Sequence, residues 1–381
     1  MTAVAPVSFN QTNTTLGEWD LQVEIIEPLE LKEEETVAIQ LPNLYQSICL
    51  APRHVNPLLH LTKDTDDWIT EKLRLGKAAD EFKKVEIPFL CAVILPDGPE
   101  QPLRALTEWM SYVVFFDDRV DKGGFTNDPG AAAEEIIAFL AVLDDDYPDI
   151  PVEANNGLIR AYQQVWKRIS KYGSRDDKIR FKRAERYYMT GLLRQIKLLG
   201  SGTQVITPDQ YLPIRRRTSG MYTTLAFVEW SVNSVWKLPA HIIEHPSIVA
   251  FRKLTNEIVS LSNDILSFPK DLSVGESTNM VVVLMKQGYE IQEAIDNVSE
   301  MVFARYKEWE QKLRDLPKWG EEIDIGVAKL IQGYSDVLWG DLEWSFTTAR
   351  YFGKSKNEVK ATGKFSVPKR LEQELRAMVV K

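Results

Sequence analysis

The stretch Ile295–Pro317, IDNVSEMVFARYKEWEQKLRDLP, sets the fold class. Its apolar residues Ile295, Val298, Val302, Tyr306, Trp309, Leu313 and Leu316 recur in steps of three and four, which on a helix makes one continuous stripe. Pro317 has no amide hydrogen to extend the ladder and stops it. The same period runs outward through Trp68–Ala79, Leu103–Phe116, Ala131–Leu143, Leu158–Ser170, Ile179–Leu199, Thr223–Val235, Phe251–Ser267 and Ile325–Ala349. Strand-type alternation is nearly absent, no repeat period occurs, and no Gly/Ser-rich linker divides the body. Residues 1–38 mix polar, proline and acidic stretches and read as a flexible arm. Residues 356–381 read as a C-terminal tail. Between them, 39–355 is expected to form one all-α domain, a bundle of roughly ten or more helices.

Composition narrows the function. A chain of 381 residues with 44% hydrophobic and 27% charged residues can build a sizeable core. Its net charge of −9 argues against a nucleic-acid surface, while leaving room for a small cationic pocket. Cys49 and Cys91 are the only cysteines and form no CxxC, and His54, His60, His241 and His245 have no zinc spacing. The longest apolar run, Ile87–Leu95, is too short to span a bilayer and is interrupted by Pro88. No basic segment followed by an apolar core opens the chain. A reducing, cytoplasmic setting without a transmembrane segment is expected.

Three places carry chemistry. Phe115-Phe-Asp-Asp-Arg-Val-Asp121 ends an apolar helix, and Asp117 and Asp121, four apart, share one face of it. Like charges at that spacing repel unless a cation sits between them, and hard oxygen ligands suit Mg²⁺. Gly123 and Gly124 are placed to close that helix. A DDxxD run alone discriminates little, since Asp145-Asp-Tyr-Pro-Asp149 fits the same letters; there Pro148 forbids a continuing helix, so a solvated loop is expected. Asn263, Ser267 and Asp271 stand at i, i+4 and i+8, a stripe of three oxygen ligands with Ile258, Leu261 and Ile265 on the buried side. Pro269 interrupts that stripe and is placed to bend the helix. Two such stripes can share magnesium ions about one diphosphate. Arg215-Arg-Arg217 ahead of Gly220, and Arg350 near the C-terminus, supply guanidinium groups whose planar forks match phosphate oxygens.

The set DDxxD, NDxxSxxxD, an upstream RRxTxG and a late WSxxTxRY resembles class I terpene synthases over roughly residues 40–355. It is most similar to the microbial, fungal-type sesquiterpene cyclases of the presilphiperfolanol synthase kind. The resemblance implies that Asp117 is the main magnesium ligand, assisted by Asp118 and Asp121. It implies that Asn263, Ser267 and Asp271 hold the remaining magnesium of a three-ion set and that Lys270 touches the diphosphate. Arg216 matches the diphosphate-sensing position, four residues before Gly220, with Arg217 open as the alternative. Arg350 and Tyr351 bind the diphosphate as the site closes, and Trp344, read as lying on the same helix as Arg350, faces the cation. Asp271 replaces the family's usual glutamate.

The substrate implied is a prenyl diphosphate, farnesyl diphosphate before its C10 and C20 homologues. A cation formed from it needs an apolar, water-free pocket with aromatic faces, for which Phe89, Trp109, Tyr112, Phe115, Phe116 and Trp344 are candidates. Three rivals remain. A chain-elongating prenyltransferase would carry a second aspartate-rich motif in place of Asn/Ser/Asp. A protonation-initiated cyclase would use Asp64-Thr-Asp-Asp67, here expected to be a surface helix start. A helical interaction scaffold would bind neither metal nor diphosphate.

Overall fold

The computed structural model describes residues 36–48, 52–121, 128–151, 157–200, 207–273 and 278–370; at 118–121, 199–200 and 273 it describes the backbone alone. In chain order the helices are α1 Leu44–Ser47, α2 Thr65–Lys72, α3 Ala79–Lys83, α4 Ile87–Ile94, α5 Glu100–Asp121, α6 Pro129–Ala141, α7 Gly157–Tyr172, α8 Arg175–Gly200 and α9 Pro208–Thr218. There follow α10 Met221–Trp236, α11 Ala240–Ile243, α12 Pro246–Ser273, α13 Met280–Lys286, α14 Ile291–Arg314, α15 Glu321–Thr347, α16 Ala349–Phe352 and α17 Lys356–Thr362. Each long periodic stretch lies within or overlaps a helix, and α14 contains the stripe quoted above. Ile295, Val298 and Val302 are fully buried, whereas Leu313, at the fraying end, is 46% exposed.

The run Ile87–Leu95, too short for a membrane, is the central helix α4. Pro88 falls in its first turn, where a missing amide hydrogen costs nothing. Nearly all of α4 is buried, packed between α5 and α15. At Gly340 the backbone of α15 comes so close to α4 that an added Cβ would sit 3.0 Å from the Ile94 nitrogen. Helix α12 packs against both α14 and α15, α10 bridges α15, α8 and α5, and α5 leans on α7. Among the described residues no helix is long and apolar enough to cross a membrane.

Two short strands depart from the expected all-helical organisation. β1 (Thr36–Gln40) pairs antiparallel with β2 (Lys364–Pro368), Val37 opposite Val367 and Ile39 opposite Phe365. Gln292 closes β1's outer edge, its Oε1 accepting from the Gln40 amide at 2.9 Å and its Nε2 donating to the Gln40 carbonyl at 3.0 Å. The described end of the expected arm thus pairs with a strand from the expected tail, and α17 packs on α15 and α16. Alternation confined to five residues in each strand is too brief to stand out from a helical background.

Candidate active site

Helices α4, α5, α8, α9, α10, α12, α15 and α16 enclose one cavity of about 1300 Å³, open solvent at its mouth included. Its polarity is ordered along the helices. On α5 the lining residues Trp109, Met110, Val113 and Val114 precede Asp117; on α12 Val259 and Ser260 precede Asn263, Ser267, Lys270 and Asp271. Along α5 and α12 the lining thus passes from mostly apolar residues toward a polar end. Leu90, Ile94, Leu192, Met221 and Trp344 complete the apolar part.

At the polar end, Asp117 Oδ1 accepts from the Tyr188 hydroxyl at 3.0 Å. The side chains of Asp118 and Asp121, and Gly123 and Gly124, lie outside the described residues. Across the cavity α12 continues through Pro269 to Ser273, so the expected stripe forms on one helix. Ile258, Leu261 and Ile265 are buried behind it. Ser267 Oγ donates to Asp271 Oδ2 at 2.6 Å, and Asn279 Nδ2 donates to the same oxygen at 2.9 Å. Asn279, from the start of α13, so holds the shorter carboxylate against Ser267. Lys270 Nζ lies 3.3 Å from Asp271 Oδ1. Among the described residues no three His, Cys, Asp or Glu side chains cluster as a metal site. The donors present are instead a carboxylate from α5 and an Asn/Ser/Asp set from α12, hard oxygens on two walls of one cavity, which fits a hard divalent cation.

The three arginines point to different places. Arg215 lines the cavity: its Nε donates to Asp264 Oδ1 at 3.0 Å and its Nη2 to Asn263 Oδ1 at 2.8 Å. Burial works against its charge, but Asp264 and neighbouring groups outweigh it and hold the guanidinium protonated. Arg216, the residue expected there, turns instead to Glu257, Nη1 to Oε1 at 2.6 Å, a carboxylate that Arg305 also engages at 2.9 Å. The Arg217 guanidinium lies over the Tyr187 ring, 3.9 Å from its centroid. Successive helical residues diverge by about 100°, so three adjacent arginines face three directions and one reaches the cavity. Gly220, in the left-handed region at φ 66°, then turns the chain from α9 into α10, and an added Cβ would lie 3.2 Å from the Trp109 ring.

The C-terminal segment also differs from its expected geometry. Thr348 breaks the helix at φ −64°, ψ 151°, and its Oγ1 caps α16 by accepting from the Arg350 amide at 3.2 Å. Trp344 on α15 and Arg350 on α16 therefore belong to different helices, and the turn between them lets both line the cavity. Asn263 Nδ2 donates to the Tyr351 hydroxyl at 2.9 Å, joining the α12 stripe to this segment. The Trp344 and Tyr351 rings meet edge-on at 5.5 Å. Among the aromatics marked by sequence, Trp109 and Trp344 line the cavity. Tyr112 and Phe116 pack with Phe139, and Phe115 stacks on Phe82.

Sequence alone left Asp264, Tyr188 and Asn279 without roles and did not single out Arg215 within its run. Asp264 is the second letter of the NDxxS motif. It takes hydrogen bonds from Tyr211 (2.7 Å), Arg215 and the Met280 amide (3.1 Å), tying α9 and α13 to α12. Burial pushes its carboxyl up to about 6 against those partners. The decoy aspartates behave as expected: Asp145 and Asp149 sit on an exposed turn, paired with Lys182 at 3.6 Å and Lys167 at 2.5 Å. Asp64 and Asp67 are exposed at the start of α2. Asp66 departs from that surface reading, being half-buried with its carboxyl pushed up to about 7 by burial, and it does not line the cavity.

Residues 108–308 match the family described as "Terpene synthase family 2, C-terminal metal binding", a span that holds Asp117, the three arginines and the α12 stripe. The chain belongs to the terpene synthase family. It is 33% identical to terpene cyclase 4 of Gibberella fujikuroi over 346 residues, covering 90% of this chain and 94% of the relative. With a silphinene synthase of Penicillium patulum it shares 30% over 349 residues, 89% of this chain and 92% of that one. A (+)-eremophilene synthase of Gibberella fujikuroi is 31% identical over 321 residues, 84% and 89% of the two chains. The fold is that of solved α-eudesmol synthase (TM-score 0.67, 23% identity, 78% of this chain and 97% of that one) and cucumene synthase (TM-score 0.65, 22%, 78% and 99%). The protein is thus a terpene cyclase, a carbon–oxygen lyase of the metal-binding, all-α class.

Trp344 offers a test within this site. Its Nε1 donates to the Val85 carbonyl at 2.7 Å, and the indole lines the cavity beside Tyr351. Trp344→Leu removes a buried hydrogen bond and ring volume, which should cost about 2–3 kcal/mol of stability. It also removes an aromatic face available to a cation, so acyclic and early-cyclised products should rise as a share of the total. Gas chromatography of products beside thermal melts checks both; a lower melting temperature with unchanged product ratios would reduce Trp344 to packing.

Proposed function

We propose that this cyclase acts on farnesyl diphosphate with magnesium, in a three-ion set, and releases a sesquiterpene and inorganic diphosphate in the cytoplasm. The observation that carries the reading is the cavity's division: anion-binding and oxygen-donor side chains at one end, apolar and aromatic ones through the rest. The C15 substrate is supported by relatives bearing sesquiterpene-synthase names.

Asp117 on one wall and Asn263, Ser267 and Asp271 on the other would hold the ions. Bound there, these ions supply charge that neutralises the departing diphosphate. Arg215, Lys270, Arg350 and Tyr351 bind its remaining oxygens. Arg215 now spends one donor on Asn263 Oδ1, so loading the site exchanges that bond for phosphate. As the allylic C–O bond breaks, its electron pair leaves with diphosphate, and the cation remains among Leu90, Ile94, Val113, Met221 and the indoles of Trp109 and Trp344. An apolar wall withholds the water that would otherwise capture it early.

Incubation with C10, C15 and C20 prenyl diphosphates and magnesium, read by mass spectrometry, tests this. Cyclic C15 products are expected, and added chelator should remove them. Cyclic products from the C10 or C20 substrate alone would overturn the substrate assignment, and C20 diphosphate made from C15 plus C5 would indicate chain elongation instead.

A further inference from the structure

Among the described residues four carboxylates line the cavity: Asp117, Asp264, Asp271 and Asp341. Three are hydrogen-bonded at the polar end, to Tyr188, to Tyr211 and Arg215, and to Ser267 and Asn279 respectively. Asp341 differs. It sits on α15 one turn before Trp344, on the same helical face, so the pair is separated by about 4.5 Å along the axis, with Asp341 on the side away from Arg350. The residue is 9% exposed, and its Oδ2 is buried without a hydrogen-bond partner. A buried, unpartnered carboxylate oxygen costs stability, so its presence in an otherwise well-packed wall calls for a use. Gly340 beside it brings α15 against the backbone of α4, whose Leu90 and Ile94 line the same cavity.

We infer that Asp341 is a catalytic base for the hydrocarbon part of the reaction, taking the proton whose loss ends the cation cascade. The inference rests on the cyclase reading above. A C–H bond beside the cationic carbon breaks, its electron pair forms the alkene, and the proton goes to Asp341 Oδ2; it returns to solvent when products leave. No oxidant or further co-reactant enters.

The environment suits proton exchange. Burial pushes the Asp341 carboxyl up to about 7, against the opposing pull of the Arg215 charge. A group divided between its two forms near neutral pH can accept a proton and give it back, and a carbocation in the cavity draws it toward the carboxylate. Tyr351 and, from outside the cavity, Tyr45 are the other titratable groups that feel its charge, and both are held above their ordinary range. Neither therefore competes as the base at neutral pH.

Asp341→Asn keeps the shape and removes the base. Wild type and variant are incubated with farnesyl diphosphate and magnesium, with diphosphate release and product composition measured separately and thermal melts recorded. The wild-type alkene should fall at least about tenfold as a share of total product, replaced by alkenes from other deprotonation sites or by alcohols. Asp341→Glu should return deprotonated products with altered regiochemistry, because its carboxylate is displaced by one methylene. Unchanged product ratios in a folded Asp341→Asn overturn the assignment, whether or not diphosphate release falls. Should that variant not fold, unchanged ratios in Asp341→Glu overturn it equally. A wild type that releases no diphosphate would instead fail the substrate reading, so the two failures are distinguishable.

Discussion

Asp117→Ala should lower diphosphate release by about a hundred- to a thousand-fold, the range seen when one group that stabilises transition-state charge is removed. Asp117 is the described side chain through which α5 reaches the polar end of the cavity, and no other described acid on that wall replaces it. The Tyr188 hydroxyl would lose its acceptor, so a modest fall in melting temperature is also expected. Asp145→Ala and Asp149→Ala, drawn from the other DDxxD run, should each stay within a few-fold of wild type. Both carboxylates are solvent-exposed, and surface pairs of this kind contribute about 0–1 kcal/mol. Asp66→Ala belongs with them, although its half-buried carboxyl makes the melting temperature less predictable than for a surface site. Initial rates at saturating metal, beside thermal melts, make the comparison. Equal losses in all four would remove Asp117 from the site, and loss in a folded Asp66→Ala alone would point to protonation-initiated chemistry at Asp64–Asp67.

What sequence could convey here follows from what each motif constrains. Helical period and the spacing of Asn263, Ser267 and Asp271 are properties of one helix, and α12 realises them despite Pro269. The bundle and the α12 stripe were therefore legible in the sequence. Facing direction within the arginine run was not, because it depends on how α9 is rotated against α12, a tertiary property. Asp341 had no motif at all: its meaning comes from burial, a missing partner and the cavity beside it. The break at Thr348 was hidden for a third reason. Thr348 caps the short turn that carries Arg350 and Tyr351, while the surrounding letters read as one continuous helix. The β1–β2 pair was hidden by brevity and by the separation of its strands at opposite ends of the chain.

The arginine run gives the sharpest separation of position from composition. Arg215→Lys should lower turnover by about a hundredfold, while Arg216→Lys should act chiefly on stability. The two substitutions are chemically identical, one residue apart, so a difference between them can come only from where each side chain points. At 215 the planar fork now spans Asp264 and Asn263, and lysine keeps the charge but loses the paired geometry that a phosphate would use. Lysine at 215 also leaves buried Asp264 with Tyr211 and the Met280 amide as its remaining partners, which should loosen α9 against α12. At 216 the partner is Glu257, which retains Arg305 and the more distant Lys253 when Arg216 is shortened. The loss there should be about 1 kcal/mol, with diphosphate release within a few-fold of wild type. Separating KM from kcat adds the deciding detail. A group that meets the diphosphate as charge develops on it should depress kcat as well as raise KM, whereas a merely structural arginine should change both through the folded fraction alone. If Arg216→Lys is the variant that loses kcat in a folded protein, α9 must rotate when substrate binds, and the sensing role returns to Arg216.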